Sequence, residues 1–128
     1  MPYTSEWGWK DNKILLLDPD EAIQILYQDE LREEGYEVIP VDQASHVLQD
    51  IQDQQPRLMV MEAGLYGRNG LRLLQDIRSA YPNLPVILCT ADPSFKMEPT
   101  ALLADDVVLK GMSVFKLKQS VKKLLKLK

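Results

Sequence analysis

The chain has 128 residues, 45% of them apolar, which suits one compact domain burying roughly two-thirds of its unfolded surface. Its single cysteine, Cys89, excludes an internal disulfide framework and a CxxC metal site, and in an apolar run it reads as a small buried hydrophobe. No apolar run approaches the ~20 residues of a spanning helix, and Met1–Lys13 is too polar for a signal peptide, so a cytoplasmic protein without membrane attachment is expected.

Met1–Asn12 shows no periodicity and reads as an N-terminal arm, with residues 13–128 as the domain. Trp7 and Trp9 in that arm suit docking on the domain or a partner as well as a frayed end. Ile14–Leu17 is an uninterrupted apolar run that predicts a strand covered on both faces, ending at Asp18-Pro19-Asp20. Asp20 is a good N-cap for a helix carrying Ile23, Leu26, Tyr27 and Leu31 on one face and closing at Gly35. Tyr36–Val41 predicts a second strand, and Ala44, Val47, Leu48 and Ile51 mark a second helix that stops before Pro56. His46, the only histidine, falls on that helix and reads as a surface residue.

Leu58–Met61 predicts a third strand that delivers the carboxylate of Glu62 to a loop holding Gly64, Gly67 and Gly70. A third helix follows through Leu71, Leu74 and Ile77 to Tyr81. Pro85–Leu88 is a fourth strand, continued by Cys89-Thr90-Ala91. Pro93 and Pro99 limit Asp92–Ala104 to a short or irregular helix. Val107–Leu109 predicts a fifth strand ending on Lys110, and Val114, Leu117, Val121, Leu124 and Leu125 form the stripe of a last helix surrounded by lysines.

Charge is distributed unevenly along this order. The first 62 residues hold 14 acidic and 4 basic side chains, the remainder 5 acidic and 11 basic, within a net charge of −4. An acidic half makes no general nucleic-acid grip, and the lysines of the last helix read as its wet face rather than as a membrane anchor.

Alternating strands and helices predict an α/β fold, a mostly parallel five-stranded sheet with helices on both faces. Such a sheet gathers the residues at the carboxyl ends of its strands: Asp18 and Asp20, Glu62, Thr90 and Lys110.

The motifs ILLLDPDEAI, PRLMVMEAGLYGRNGLRLLQDIR, LPVILCTA and DDVVLKG, in this order, resemble the receiver domain of bacterial two-component response regulators, over about Lys13–Leu125. The resemblance implies a flavodoxin-like (CheY-like) three-layer sandwich. It implies an aspartate ending the third strand that accepts a phosphoryl group from a histidine kinase, and an acidic pair after the first strand that binds Mg2+. It also implies a Ser or Thr and a Lys that contact the phosphoryl oxygens; Thr90 and Lys110 stand at those positions. A carboxylate attacks a polyanionic donor poorly unless a hard cation offsets the charge, which is why the family needs its acids and metal together.

The acidic half departs from that pattern. Glu62 stands at the acceptor position, a methylene longer than aspartate, and a misplacement on the order of 1 Å can cost ~10²-fold in rate. Pro19 stands where the second acid of the pair is expected and offers no carboxylate. The expectation is a degenerate acceptor site: Mg2+ weakly held or absent at Asp18, Asp20 and Glu62, and little or no phosphorylation. Glu62 then has three readings: an ion pair with Lys110, a mimic that locks a signalling state, or a residual acceptor.

Val107 replaces the usual switching Tyr or Phe, Gly111 replaces the usual proline, so a trans Lys110–Gly111 peptide is expected, and the segment between Thr90 and Lys110 is about two residues short. Together these predict a non-catalytic protein-docking module for a sensor kinase or downstream effector, with a homodimer compatible; the resemblance implies a partner surface on the face of the fourth helix, the fifth strand and the last helix. The alternatives are a working phosphoacceptor receiver using Glu62 with Mg2+, and a small flavodoxin-like enzyme or nucleotide binder. The last is weakened because no Gly-rich phosphate loop follows the first strand.

Overall fold

Five short apolar runs form the five parallel strands of one sheet: β1 (Lys13–Leu17), β2 (Glu37–Val41), β3 (Leu58–Glu62), β4 (Val86–Thr90) and β5 (Asp106–Leu109). The strand order is β2-β1-β3-β4-β5, the doubly wound flavodoxin-like arrangement. The computed structural model describes residues 12–41, 46–64, 69–111 and 114–126. Of the expected arm only Asn12 is among them, so the readings of Trp7 and Trp9, like those of Ala44 and Gly67, lie outside the described residues.

Helices α1 (Glu21–Glu33), α2 (Val47–Gln54), α3 (Asn69–Ala80) and α4 (Val114–Lys126) cover the sheet. Because side chains alternate across a strand, β1 divides its residues between two cores. Leu15 and Leu17 join Val47 and Ile51 of α2 and Leu74 and Ile77 of α3. Ile14 and Leu16 join Tyr27 and Leu31 of α1 and Leu117 and Val121 of α4. Every residue of β1 and β4 is buried, and each fully buried Leu or Ile contributes about 1.5–3 kcal/mol of transfer free energy.

Local signals set the element ends. Asp20 caps α1, and Gly35, at φ +95°, closes it in a Schellman motif: Gly35 N–H donates to Arg32 O and Tyr36 N–H to Leu31 O. That second bond holds Tyr36 in the cap, so β2 begins at Glu37, one residue later than expected. Strands β3 and β4 run further than their apolar cores suggested, through Glu62 and Thr90, because parallel pairing continues to the site end of the sheet. His46 is the residue before α2 rather than within it, and it is exposed.

The segment between β4 and β5 forms two 3-10 turns, Pro93–Met97 and Pro99–Leu103, in place of an α-helix. Each proline starts a turn, where its missing N–H is not needed, and the second prevents the first from continuing. Phe95 and Ala101 anchor the turns in the core, while Met97 and Leu102 are each 83% exposed.

Candidate functional site

The strand order makes the site. Asp18 directly follows β1, Glu62 ends the adjacent β3, Thr90 ends β4 and Lys110 follows β5, so all four arrive at one edge of the sheet. Lys110 is held there by its backbone, whose N–H donates to Thr90 O at 2.7 Å. Its side chain reaches back over β4 and places Nζ 2.6 Å from Asp18 Oδ2 and in direct contact with Glu62 Oε1. The three side chains are 2%, 12% and 11% exposed for Asp18, Glu62 and Lys110. Burial is the largest influence on Lys110 and pulls its ammonium pKa down, but the hydrogen bonds and charges of Asp18 and Glu62 together outweigh it and leave the pKa raised.

The remaining oxygens of the two acids are also engaged. Asp18 Oδ1 accepts the Asp20 N–H at 2.9 Å across Pro19. Glu62 Oε2 accepts the Gly64 N–H at 2.6 Å, so the longer side chain folds back over its own loop. A Cβ at Gly64 would sit 3.2 Å from that oxygen. Further along the loop, a Cβ at Gly70 would lie 2.1 Å from Ala63 O, so α3 starts in backbone contact with the residue after Glu62.

Thr90 and Asp20 stand apart from this trio. The Thr90 hydroxyl is buried and bonds to its own turn, accepting the Asp92 N–H at 3.0 Å and donating to Asp92 O at 3.3 Å. Asp20 departs from the pocket expectation: its Oδ1 accepts the N–H groups of Ala22 and Ile23 at 3.0 and 3.2 Å, and the side chain is exposed. The helix end claims it because its donors are two and three residues away. The Lys110–Gly111 peptide is trans, as expected, with Gly111 at φ +83°.

Two groups below the site were not singled out as functional by sequence reasoning. Tyr27 of α1 is buried and its hydroxyl is pushed up to about 12, first by burial, with smaller contributions from Cys89, Asp18 and Glu62 against Lys110. Arg78 of α3 fixes the chain on the other side of β4, donating to Leu84 O at 2.7 Å, to Leu103 O at 2.7 and 3.0 Å, and to Asp105 Oδ2 at 3.0 Å. Among the described residues no group of three or more His, Cys, Asp or Glu is arranged to hold a metal ion, and no helix is long and apolar enough to cross a membrane.

A five-stranded parallel sheet in this order, with one acid just after β1 and one ending β3 facing a lysine after β5, defines a CheY-like module. The model of the response regulator receiver domain matches residues 14–122, and the chain belongs to that family, the receivers of two-component signalling. It is 30% identical over 118 residues to the alkaline phosphatase synthesis transcriptional regulatory protein PhoP of Bacillus subtilis, covering 91% of this chain and 49% of that protein. It is also similar to the response regulator protein FleR of Pseudomonas aeruginosa, at 35% identity, covering 62% of this chain and 17% of the relative. The chain thus spans about half or less of the length of these relatives. Among solved structures, the response regulator TrrA of Thermotoga maritima in complex with Mg2+-BeF superposes with a TM-score of 0.83 at 29% identity, over 88% of this chain and 98% of TrrA. TrrA in complex with the histidine kinase ThkA gives 0.82 at 30% identity, over 89% and 98%.

Proposed function

We propose that this receiver carries a degenerate acceptor site and acts as a non-phosphorylated protein-docking module, with a sensor kinase or downstream effector as its partner. The observation that carries the reading is the Lys110 ammonium bonded to both Asp18 and Glu62. One cation already bonds both acids that would have to receive a metal and a phosphoryl group, and its charge offsets one of their two. Mg2+ demands near-octahedral oxygen ligation, and the residues do not fit it: Pro19 brings no ligand, Asp20 caps α1, and Glu62 Oε2 is held by Gly64 N–H. The ion pair is therefore the preferred reading of Glu62 over a locked mimic. Incubation with an acyl-phosphate donor and Mg2+, followed by intact mass measurement, should leave the mass unchanged. A gain of one phosphoryl group that Glu62→Gln abolishes would overturn the proposal.

A second reading, a working acceptor at Glu62, draws support from Thr90 and Lys110 at their family positions and from the Mg2+-BeF complex of TrrA. It requires Lys110 to release one acid and a metal to enter. The same mass measurement decides between the two. The domain is taken as residues 13–128, and its place in the cytoplasm follows from the same signalling role.

A further inference from the structure

The end of the sheet opposite the acceptor site seals in two cations. Lys13 opens β1 at 9% exposure, and Arg57, directly before β3, is 8% exposed. The Arg57 N–H donates to Lys13 O at 2.8 Å, which holds the two residues side by side. Among the described residues the Lys13 ammonium has one hydrogen bond, to the uncharged Gln54 Oε1 at 3.2 Å, and no ion pair. Glu37 stands opposite Lys13 in the β1–β2 register, but it is exposed. An ammonium taken out of water is costly unless a carboxylate accompanies it, so this corner calls for an acid beyond those described.

We infer that the N-terminal arm, residues 1–11, turns back across the starts of β1 and β3, bringing its acids Glu6 and Asp11 to these cations and laying Trp7 and Trp9 over the 55–57 loop. The arm carries those two acids against one base, Lys10, and holds both tryptophans of the chain. Asn12 fixes its point of departure: the Asn12 side-chain amide donates to Gly35 O at 2.8 Å, and Asn12 O accepts the Glu37 N–H at 2.9 Å. From there an extended chain at ~3.3 Å per residue carries Trp9 ~10 Å and Trp7 ~17 Å. Strands ~4.8 Å apart put the starts of β2, β3 and β4 within that radius. Asp18 lies ~20 Å from Asn12 in the other direction, at the far end of β1, so neither tryptophan reaches the acceptor site. An indole offers a broad apolar face and attracts a guanidinium or ammonium, so aromatic and acidic residues in one short segment suit this corner. The docking is independent of whether Glu62 accepts phosphate.

Tryptophan emission of the full chain reads the arm directly, because no other tryptophan contributes. Compared with a synthetic peptide of residues 1–12, the emission should lie at shorter wavelength and acrylamide quenching should be at least about threefold weaker, as burial of an indole requires. Urea should bring both to the peptide's values. Glu6→Gln combined with Asp11→Asn should move quenching most of the way to that of the peptide, and Lys13→Met should do the same. Lys126→Met, at an exposed position of α4, should leave it unchanged. Circular dichroism verifies folding, and if Lys13→Met fails to fold the arm variants decide, since they alter no strand or helix. Emission and quenching equal to the peptide's would overturn the inference, as would arm variants that keep full protection. Protection that disappears on dilution would place the arm on a second copy of the chain and would overturn it as well.

Discussion

Lys110 Nζ lies 2.6 Å from Asp18 Oδ2, an acid only 2% exposed, and the same ammonium contacts Glu62. Removing the lysine would leave two carboxylates facing each other with little water to screen them. Losing one partner of a buried pair typically costs 3–5 kcal/mol, and the partly wet rim here places Lys110→Met at about 3 kcal/mol. Replacing Glu62 with Gln in that background should recover part of the loss, since one of the facing charges disappears. Urea unfolding of the two single variants and the double variant measures the coupling; strictly additive effects would mean that the pair is not an energetic unit.

Gly70 couples the acceptor loop to α3. A Cβ there would meet Ala63 O at 2.1 Å and Glu62 O at 2.9 Å, and these are backbone atoms with no side chain to swing away. Gly70→Ala should therefore cost about 2 kcal/mol or more, within the range for overpacking, although alanine favours helices elsewhere. A urea midpoint equal to that of the unmodified chain would contradict the close approach.

The sheet and much of the site were legible because their signals are local. Ile14–Leu17 and Pro85–Leu88 announce strands by unbroken apolar runs, Gly35 announces a helix end, and Pro93 and Pro99 announce the loss of a helix. Placing strand ends on one edge brought Asp18, Glu62 and Lys110 to one cleft and offered the Glu62–Lys110 pair as one of three readings, whereas the bond from Lys110 to Asp18 was not foreseen. What stayed hidden depends on distances that no spacing encodes. Glu62 has its second oxygen on Gly64 N–H, Gly70 touches Ala63, and Arg78 reaches residues 6 and 25 positions away. Asp20 was ambiguous for another reason: one carboxylate qualified both as a cap and as a pocket acid, and the nearer donors won.

Arg78 holds the 3-10 segment to the sheet. Its planar guanidinium donates at once to Leu103 O, Pro82 O, Leu84 O and Asp105 Oδ2, while Asp105 also accepts the Val86 N–H at 2.8 Å. A lysine cannot reproduce this fork, so Arg78→Lys should destabilise nearly as much as Arg78→Ala, by about 2 kcal/mol. Hydrogen exchange should rise first in residues 93–104, because their turns have few internal bonds and rely on this tether. Equal exchange there in the variant and the parent would remove Arg78 from that role.

Alkaline pH should expose the buried groups. Burial pushes the Cys89 thiol up to about 12, with Lys110 the main opposing charge, and raises Tyr27 to about 12 from 10.0. An acid whose folded pKa is raised stays protonated in the fold while the unfolded chain ionises, so stability falls with pH above about 9 for Cys89 and above about 10 for Tyr27. Each group contributes a slope of about 1.4 kcal/mol per pH unit in its window. Lys110 acts in the same direction: its raised pKa gives stability that is fully present below 10.5 and lost as pH rises through the folded value. Urea midpoints should hold steady up to pH 8 and drop from pH 9 upward, and Cys89→Ala should flatten the first part of that drop. In the native chain at pH 8 the thiol should resist a disulfide reagent and react fully once urea is added. Rapid stoichiometric labelling without urea would show that Cys89 is not sealed in the core.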